Sequence, residues 1–212
     1  MRVWRVLYSR PVRTDTVKSI PSLPWQEVPD FYSTLEEATV THLALHLLIL
    51  TGLRCKPIRF LRLNEIDGDV WTVPAENMKA RLGAAQNFRV PLSAEALAVI
   101  EQARPFERNG FLFPSLRKGV ISDATMARLM ERRGMEARPH GFRSSLRTWL
   151  AETTDAPHEV AEAMLAHMTD NKVVRTYRQT DYLDRRRILL ERWSDYVTGG
   201  PVNVLKFTGR MP

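Results

Sequence analysis

Apolar residues crowd nearly every helical face between Leu35 and Leu50: Leu35, Ala38, Leu43, Leu45, Leu47, Leu48, Ile49 and Leu50 leave no wide polar side. That pattern predicts a buried central helix over about 35–50. Gly52 ends it and places Arg54 just past the helix C-terminus. From Asn64 to Pro91 the period shortens. Ile66-Asp67-Gly68-Asp69 is a turn signal, Val70-Trp71-Thr72-Val73 has strand character, and Phe88-Arg89-Val90 reads as another strand. Lys79 falls in the turn region between these strands. Ser93 opens a helix with Glu95 in its first turn and Leu97 and Ile100 on its apolar side. Beyond the Pro/Gly-punctuated stretch 105–120 the pattern is helical over about 122–133, 141–152, 157–166, 171–177 and 182–196, and Gly199-Gly200-Pro201 is the stop. The expected fold class is mainly α with a small antiparallel β-sheet (α+β). Residues 1–30, with prolines at 11, 21, 24 and 29 and no sustained period, read as an extended leader or as the linker remnant of an absent upstream domain. Residues 31–198 form the domain, and 199–212 are a short tail.

Composition changes the picture in one respect. The chain of 212 residues carries net charge +7, with 25 Arg against 6 Lys. The planar guanidinium matches phosphate oxygens and stays charged, so the bias favours a polyanion partner. A GC-rich coding sequence would produce the same bias, and the two explanations carry equal weight. Because lysine is scarce, Lys79 stands out. The single cysteine, Cys55, excludes an internal disulfide and a Cys-based zinc site. The longest apolar run, Leu43 to Leu50, is too short to span a membrane, and no signal peptide is visible, so a cytoplasmic protein is expected. His42 and His46 share a helix face but have no third ligand nearby. There is no phosphate-binding glycine loop, no carboxylate cluster for magnesium and no nucleophile elbow. Neither a cofactor nor a metal is expected.

The candidate chemistry lies in six residues: Arg54 in Thr51-Gly52-Leu53-Arg54, Lys79, His140 and Arg143 in His140-Gly141-Phe142-Arg143, His167 and Tyr177. A phenol with a pKa near 10 is about one part in a thousand ionised at neutral pH, so using it as a nucleophile requires roughly 4 kcal/mol of assistance. An attacked phosphodiester gains negative charge in the transition state, which fixed guanidinium groups stabilise. The leaving oxygen needs a proton, which a lysine or histidine supplies. Taken singly, each residue also has a structural reading: a surface arginine after a helix, a solvated loop lysine, a hydrogen-bonded core histidine at His167, a packed aromatic at Tyr177. His140 and Arg143, three apart at a helix start, are expected to share a face pointing away from the stripe Phe142, Leu146, Trp149 and Leu150.

The order Arg, Lys, His-x-x-Arg, His, Tyr resembles the catalytic domain of tyrosine site-specific recombinases, the phage-type integrases, over residues 23 to 197. Pro21-Ser22-Leu23-Pro24-Trp25 and Tyr182-Leu183-Asp184-Arg185-Arg186-Arg187 through Trp193 are similar to the P4-type prophage branch. The resemblance implies that Arg54 and Arg143 clamp a scissile phosphate and Lys79 protonates the leaving 5′ oxygen. It implies that His140 and His167 handle proton and hydrogen-bonding work, and that Tyr177 forms a 3′-phosphotyrosyl bond without metal or ATP. Double-stranded DNA and self-association on it, in a tetrameric synapse, are the implied partners, and the apolar tail (Val202, Val204, Leu205, Phe207) suits docking on a neighbour. Tyr182 is the competing nucleophile; Tyr177 is preferred for its Arg-x-Tyr-Arg setting and its distance from His167. Two departures stand out. Pro57 occupies the position, three after Arg54, where the family commonly carries an acid, and the DNA-binding domains that the family carries upstream of the catalytic part are expected to be missing. The alternatives are an inactive DNA-binding remnant of such an integrase and a type IB topoisomerase-like enzyme.

Overall fold

A computed structural model describes residues 20–78, 86–166 and 181–200. Its helices are α1 (Val28–Ser33), α2 (Val40–Thr51), α3 (Cys55–Arg59), α4 (Ala94–Ala103), α5 (Thr125–Arg132), α6 (Phe142–Thr153), α7 (His158–Met164) and α8 (Leu183–Val197). Strands β1 (Ile66–Asp67), β2 (Val70–Val73) and β3 (Phe88–Pro91) form one antiparallel sheet in the order β1-β2-β3, with Trp71 opposite Val90. The architecture is therefore mainly helical with a small antiparallel sheet, as the periodicities imply.

Helix α2 is the axis of the core. Leu43, Ala44, Leu45, Leu47, Leu48, Ile49 and Leu50 are all buried, and α3, α4, α5, α6 and α8 pack around it. Its start is set five residues later than the apolar run suggests, because the Thr39 side chain accepts from the His42 amide and caps the helix there. Ser93 caps α4 in the same way, accepting from the Ala96 amide. At the far side, α8 lies on α2 and β3. The Trp193 indole N–H donates to the Ile49 carbonyl at 2.9 Å, and Trp149, Trp193, Tyr196 and Trp25 form a chain of ring contacts. Arg186, only 1% exposed, donates to the Arg89 carbonyl at 2.8 Å and pairs with Asp181, locking α8 to the sheet.

The segment 20–30 differs from its expectation as a leader. Leu23 and Trp25 pack against the core, Val28 is fully buried, and Pro29 opens α1 in a first-turn position that needs no N–H. The Arg138 amide donates to the Pro21 carbonyl at 3.1 Å, and the Ser145 hydroxyl donates to the Leu23 carbonyl. The prolines that read locally as punctuation are held by long-range contacts. The leader segment 1–19, the helix expected at 171–177 and the tail from 201 onward lie outside the described residues. No described helix is long and apolar enough to cross a membrane.

One pH-dependent feature sits in this core. The His46 ring stacks on Tyr32 (centroids 4.2 Å apart), and its Nε2 is buried without a hydrogen-bond partner among the described residues. Burial pulls its pKa from 6.5 down to about 4, a backbone contact from Tyr32 opposing. The unfolded chain therefore takes up a proton below about pH 6.5 that the fold resists until about pH 4. The stability carried by neutral His46 is complete above pH 6.5 and is lost as pH falls toward 4, by at most about 3 kcal/mol. Urea titrations at several pH values should show His46→Phe losing less stability over this window than the parent chain. Parallel slopes for the two proteins would contradict it.

Candidate active site

The site begins with the way α2 ends. Gly52 adopts φ 63° and its amide closes onto the Leu48 carbonyl at 3.0 Å, turning the chain so that Arg54 becomes the N-cap residue of α3. A Cβ at Gly52 would come within 2.4 Å of Leu146 Cδ2 on α6, so the turn lies tightly against that helix. This close approach brings the Gly52 carbonyl to Arg143. One Arg143 nitrogen donates to that carbonyl at 2.7 Å and the other donates to the Leu165 carbonyl at 2.6 Å.

Arg143 is 3% exposed, so it does not point away from the core as expected. His140 belongs to a separate 3-10 turn, Pro139–Gly141, and the shared-face argument fails at that boundary. Arg143 is instead in line with Leu146 and Leu150, at i+3 and i+7, on the inner face of α6. Burial, and next the adjacent Arg54 charge, pull its pKa down to about 10, with Glu162 opposing; it remains a cation at neutral pH. Arg54 is half-buried, and burial lowers its pKa as well.

Arg54, Arg143 and His140 line one cleft of about 600 Å³. Gly141 positions His140 by close approach. A Cβ there would lie 2.4 Å from the Pro21 carbonyl oxygen, so only glycine lets the segment before α1 pass under the histidine turn. Lys79, His167 and Tyr177 lie outside the described residues. Met78 and Ala166, which immediately precede Lys79 and His167, both line the cleft. Tyr182 does not line it. It precedes α8 at φ 55° and is partly buried against the core. His42 is held elsewhere, by the Glu37 carbonyl at 2.7 Å and Arg133 at 3.3 Å.

Two cleft residues escape sequence reasoning. Lys56 lies two positions after Arg54, and its ammonium donates to the Glu76 carbonyl. The scarcity of lysine that singles out Lys79 applies equally to it. Asp123 is the one carboxylate lining the cleft among the described residues and pairs with Arg59 at 3.0 Å. Pro57, buried in the first turn of α3, offers no carboxylate on that wall. Burial, reinforced by Asp123, pushes the Cys55 thiol up to about 11, which keeps it neutral beside the arginines. Such a pocket, cationic at its floor, suits a phosphodiester oxygen pair.

Comparisons with known proteins give the family and the fold. The chain is 33% identical to the prophage integrase IntA of Escherichia coli K12 over 190 residues, covering 85% of this chain and 45% of that protein. It is 28% identical to the integrase of enterobacteria phage P4, covering 87% and 47% respectively, so it spans about half the length of these relatives. In fold it is similar to the integrase of mycobacterium phage Brujita (TM-score 0.61, 22% identity, 88% of this chain and 61% of that one). It is also similar to lambda integrase residues 75–356, solved as a dimer bound to a COC′ core site (TM-score 0.53, 20% identity, 78% and 62%). The model of the phage integrase family matches residues 21–183, from the segment under His140 to the start of α8, and the chain belongs to that family.

Proposed function

We propose that this chain cleaves and rejoins duplex DNA through a 3′-phosphotyrosyl intermediate, as a recombinase of the tyrosine type. The observation that carries the reading is the convergence of Arg54, Arg143 and His140 in one cleft, with Met78 and Ala166, the sequence neighbours of Lys79 and His167, in its lining. The two guanidinium groups hold the non-bridging oxygens of the scissile phosphate and stabilise the charge that grows on them. The Tyr177 oxygen bonds to phosphorus as the bond to the 5′ oxygen breaks. Lys79 gives the leaving oxygen its proton, and His140 and His167 support proton movement around the phosphate. One phosphodiester is exchanged for another, so reversal needs no ATP. Because side-chain cations already surround the phosphate, the reaction also needs no metal. DNA is the substrate, and copies of the chain associate on it. Solved relatives include a lambda integrase tetramer bound to a Holliday junction.

The test is a covalent trap. A pool of duplexes with randomised core sequence and a nick beside each cleavage position loses a short fragment on cleavage, so rejoining cannot occur. In EDTA, the chain should form an SDS-resistant adduct, Tyr182→Phe should retain it, and Tyr177→Phe should abolish it. An adduct lost in Tyr182→Phe but kept in Tyr177→Phe would transfer the nucleophile to Tyr182. A requirement for magnesium, or DNA binding with no adduct at all, would overturn the mechanism.

A further inference from the structure

Leu116 is 99% exposed, yet it stands on one of the more tightly bonded turns of the protein. Pro114 bridges Val120, the Ser115 amide donates to the Gly119 carbonyl at 2.9 Å, and the Ser115 hydroxyl bonds the Lys118 carbonyl (3.0 Å) and the Arg117 amide (3.2 Å). The base is equally fixed. Leu112 and Phe113 are fully buried, and the Ile121 amide donates to the Phe113 carbonyl at 3.1 Å. A fixed tip thus projects Leu116, Arg117 and Lys118 together, all exposed, and neither cation has an ion-pair partner among the described residues. The chain continues through Ile121, whose carbonyl accepts from Arg59, to Asp123 in the cleft wall. Lys118 is five positions from Asp123. At about 3.3 Å per residue the tip lies at most about 17 Å from that wall, roughly five base-pair steps along a duplex.

We propose that the 114–120 turn is a second DNA contact, outside the catalytic cleft. Arg117 and Lys118 engage backbone phosphates within about five steps of the scissile one, and Leu116 packs against the sugar edge between them. The inference rests on the DNA-cleaving reading above and adds a register point to it. Charge complementarity selects the occupant. A second copy of this chain brings the same net charge of +7 to a cationic tip, whereas a duplex brings phosphates.

The experiment is fluorescence anisotropy of the full chain with a labelled random-sequence duplex at several salt concentrations, with sedimentation of the chain alone in parallel. The Arg117→Ala/Lys118→Ala variant should lower the slope of log affinity against log salt by about 1.8 and weaken binding at least about tenfold near 0.1 M salt. Leu116→Ser should weaken binding several-fold at unchanged slope. All three positions are exposed, so thermal midpoints should stay within about 2 °C of the parent. If the parent binds with a steep salt slope and the double variant matches it, the second contact is disproved while the cleft reading stands. If the parent shows no salt-dependent binding, both fall. If Leu116→Ser abolishes self-association but not DNA affinity, the turn belongs to a protein interface and the proposal is wrong.

Discussion

Arg143→Ala should reduce covalent adduct formation by about 100- to 1,000-fold or more and destabilise the fold, whereas Arg54→Ala should do only the first. On the proposed mechanism, the cleavage loss follows from removing one cation that stabilises the transition-state charge. The stability loss follows from what Arg143 also holds: the buried carbonyls of Gly52 and Leu165, 91 and 22 residues away in sequence. Stranding both costs on the order of 2–5 kcal/mol. The Arg54 side chain makes no hydrogen bond among the described residues, so its truncation should leave stability within about 0.5 kcal/mol. Arg143→Lys restores charge but not the planar fork that donates to the two carbonyls from separate nitrogens. Single-turnover adduct assays beside urea denaturation separate the effects. Equal stability of Arg143→Ala and Arg54→Ala would show that the buried bonds contribute nothing.

Gly52→Ala should damage the fold and the site together. The added Cβ is strained by φ 63°, at about 1–2 kcal/mol, and meets Leu146 Cδ2 at 2.4 Å, which overpacks by roughly 1–3 kcal/mol more. For a domain of this size the sum corresponds to a fall in Tm of roughly 4–20 °C. Adduct formation should fall further than stability accounts for, because the Gly52 carbonyl anchors Arg143 and Arg54 follows two residues later. Calorimetry and the trapping assay at 20 °C, where the variant is still folded, measure both. A Tm within 1 °C of the parent would show that α6 yields freely at Leu146, and the tight turn would then have no role in setting the site.

Much of this architecture is written in local sequence. The apolar run before Gly52, the turn at Asp67-Gly68 between strands, Ser93 before an amphipathic run and the glycine stop after Val197 each specify their element over a few residues, because capping and periodicity are short-range effects. The order of Arg54, His140 and Arg143 is equally legible, since chemistry fixes residue types. What local pattern could not give is which side of an element faces inward when a charged residue is involved. Arg143 shares the periodicity of Leu146 and Leu150, but a guanidinium goes inside only where carbonyls wait for it, and those come from Gly52 and Leu165. Likewise, Pro21 to Asp30 carries no period of its own and becomes ordered structure through Gly141, Arg138 and Ser145. Lys56 and Asp123 enter the cleft only because α3 and the 114–123 segment meet there. The sequence by itself determined most of the described elements and named the residues proposed to react. Tertiary structure decided which of them are buried, which meet, and that the α2–α6 contact at Gly52 presents the carbonyl that Arg143 bonds, because such contacts depend on packing between segments whose local energies say nothing about each other.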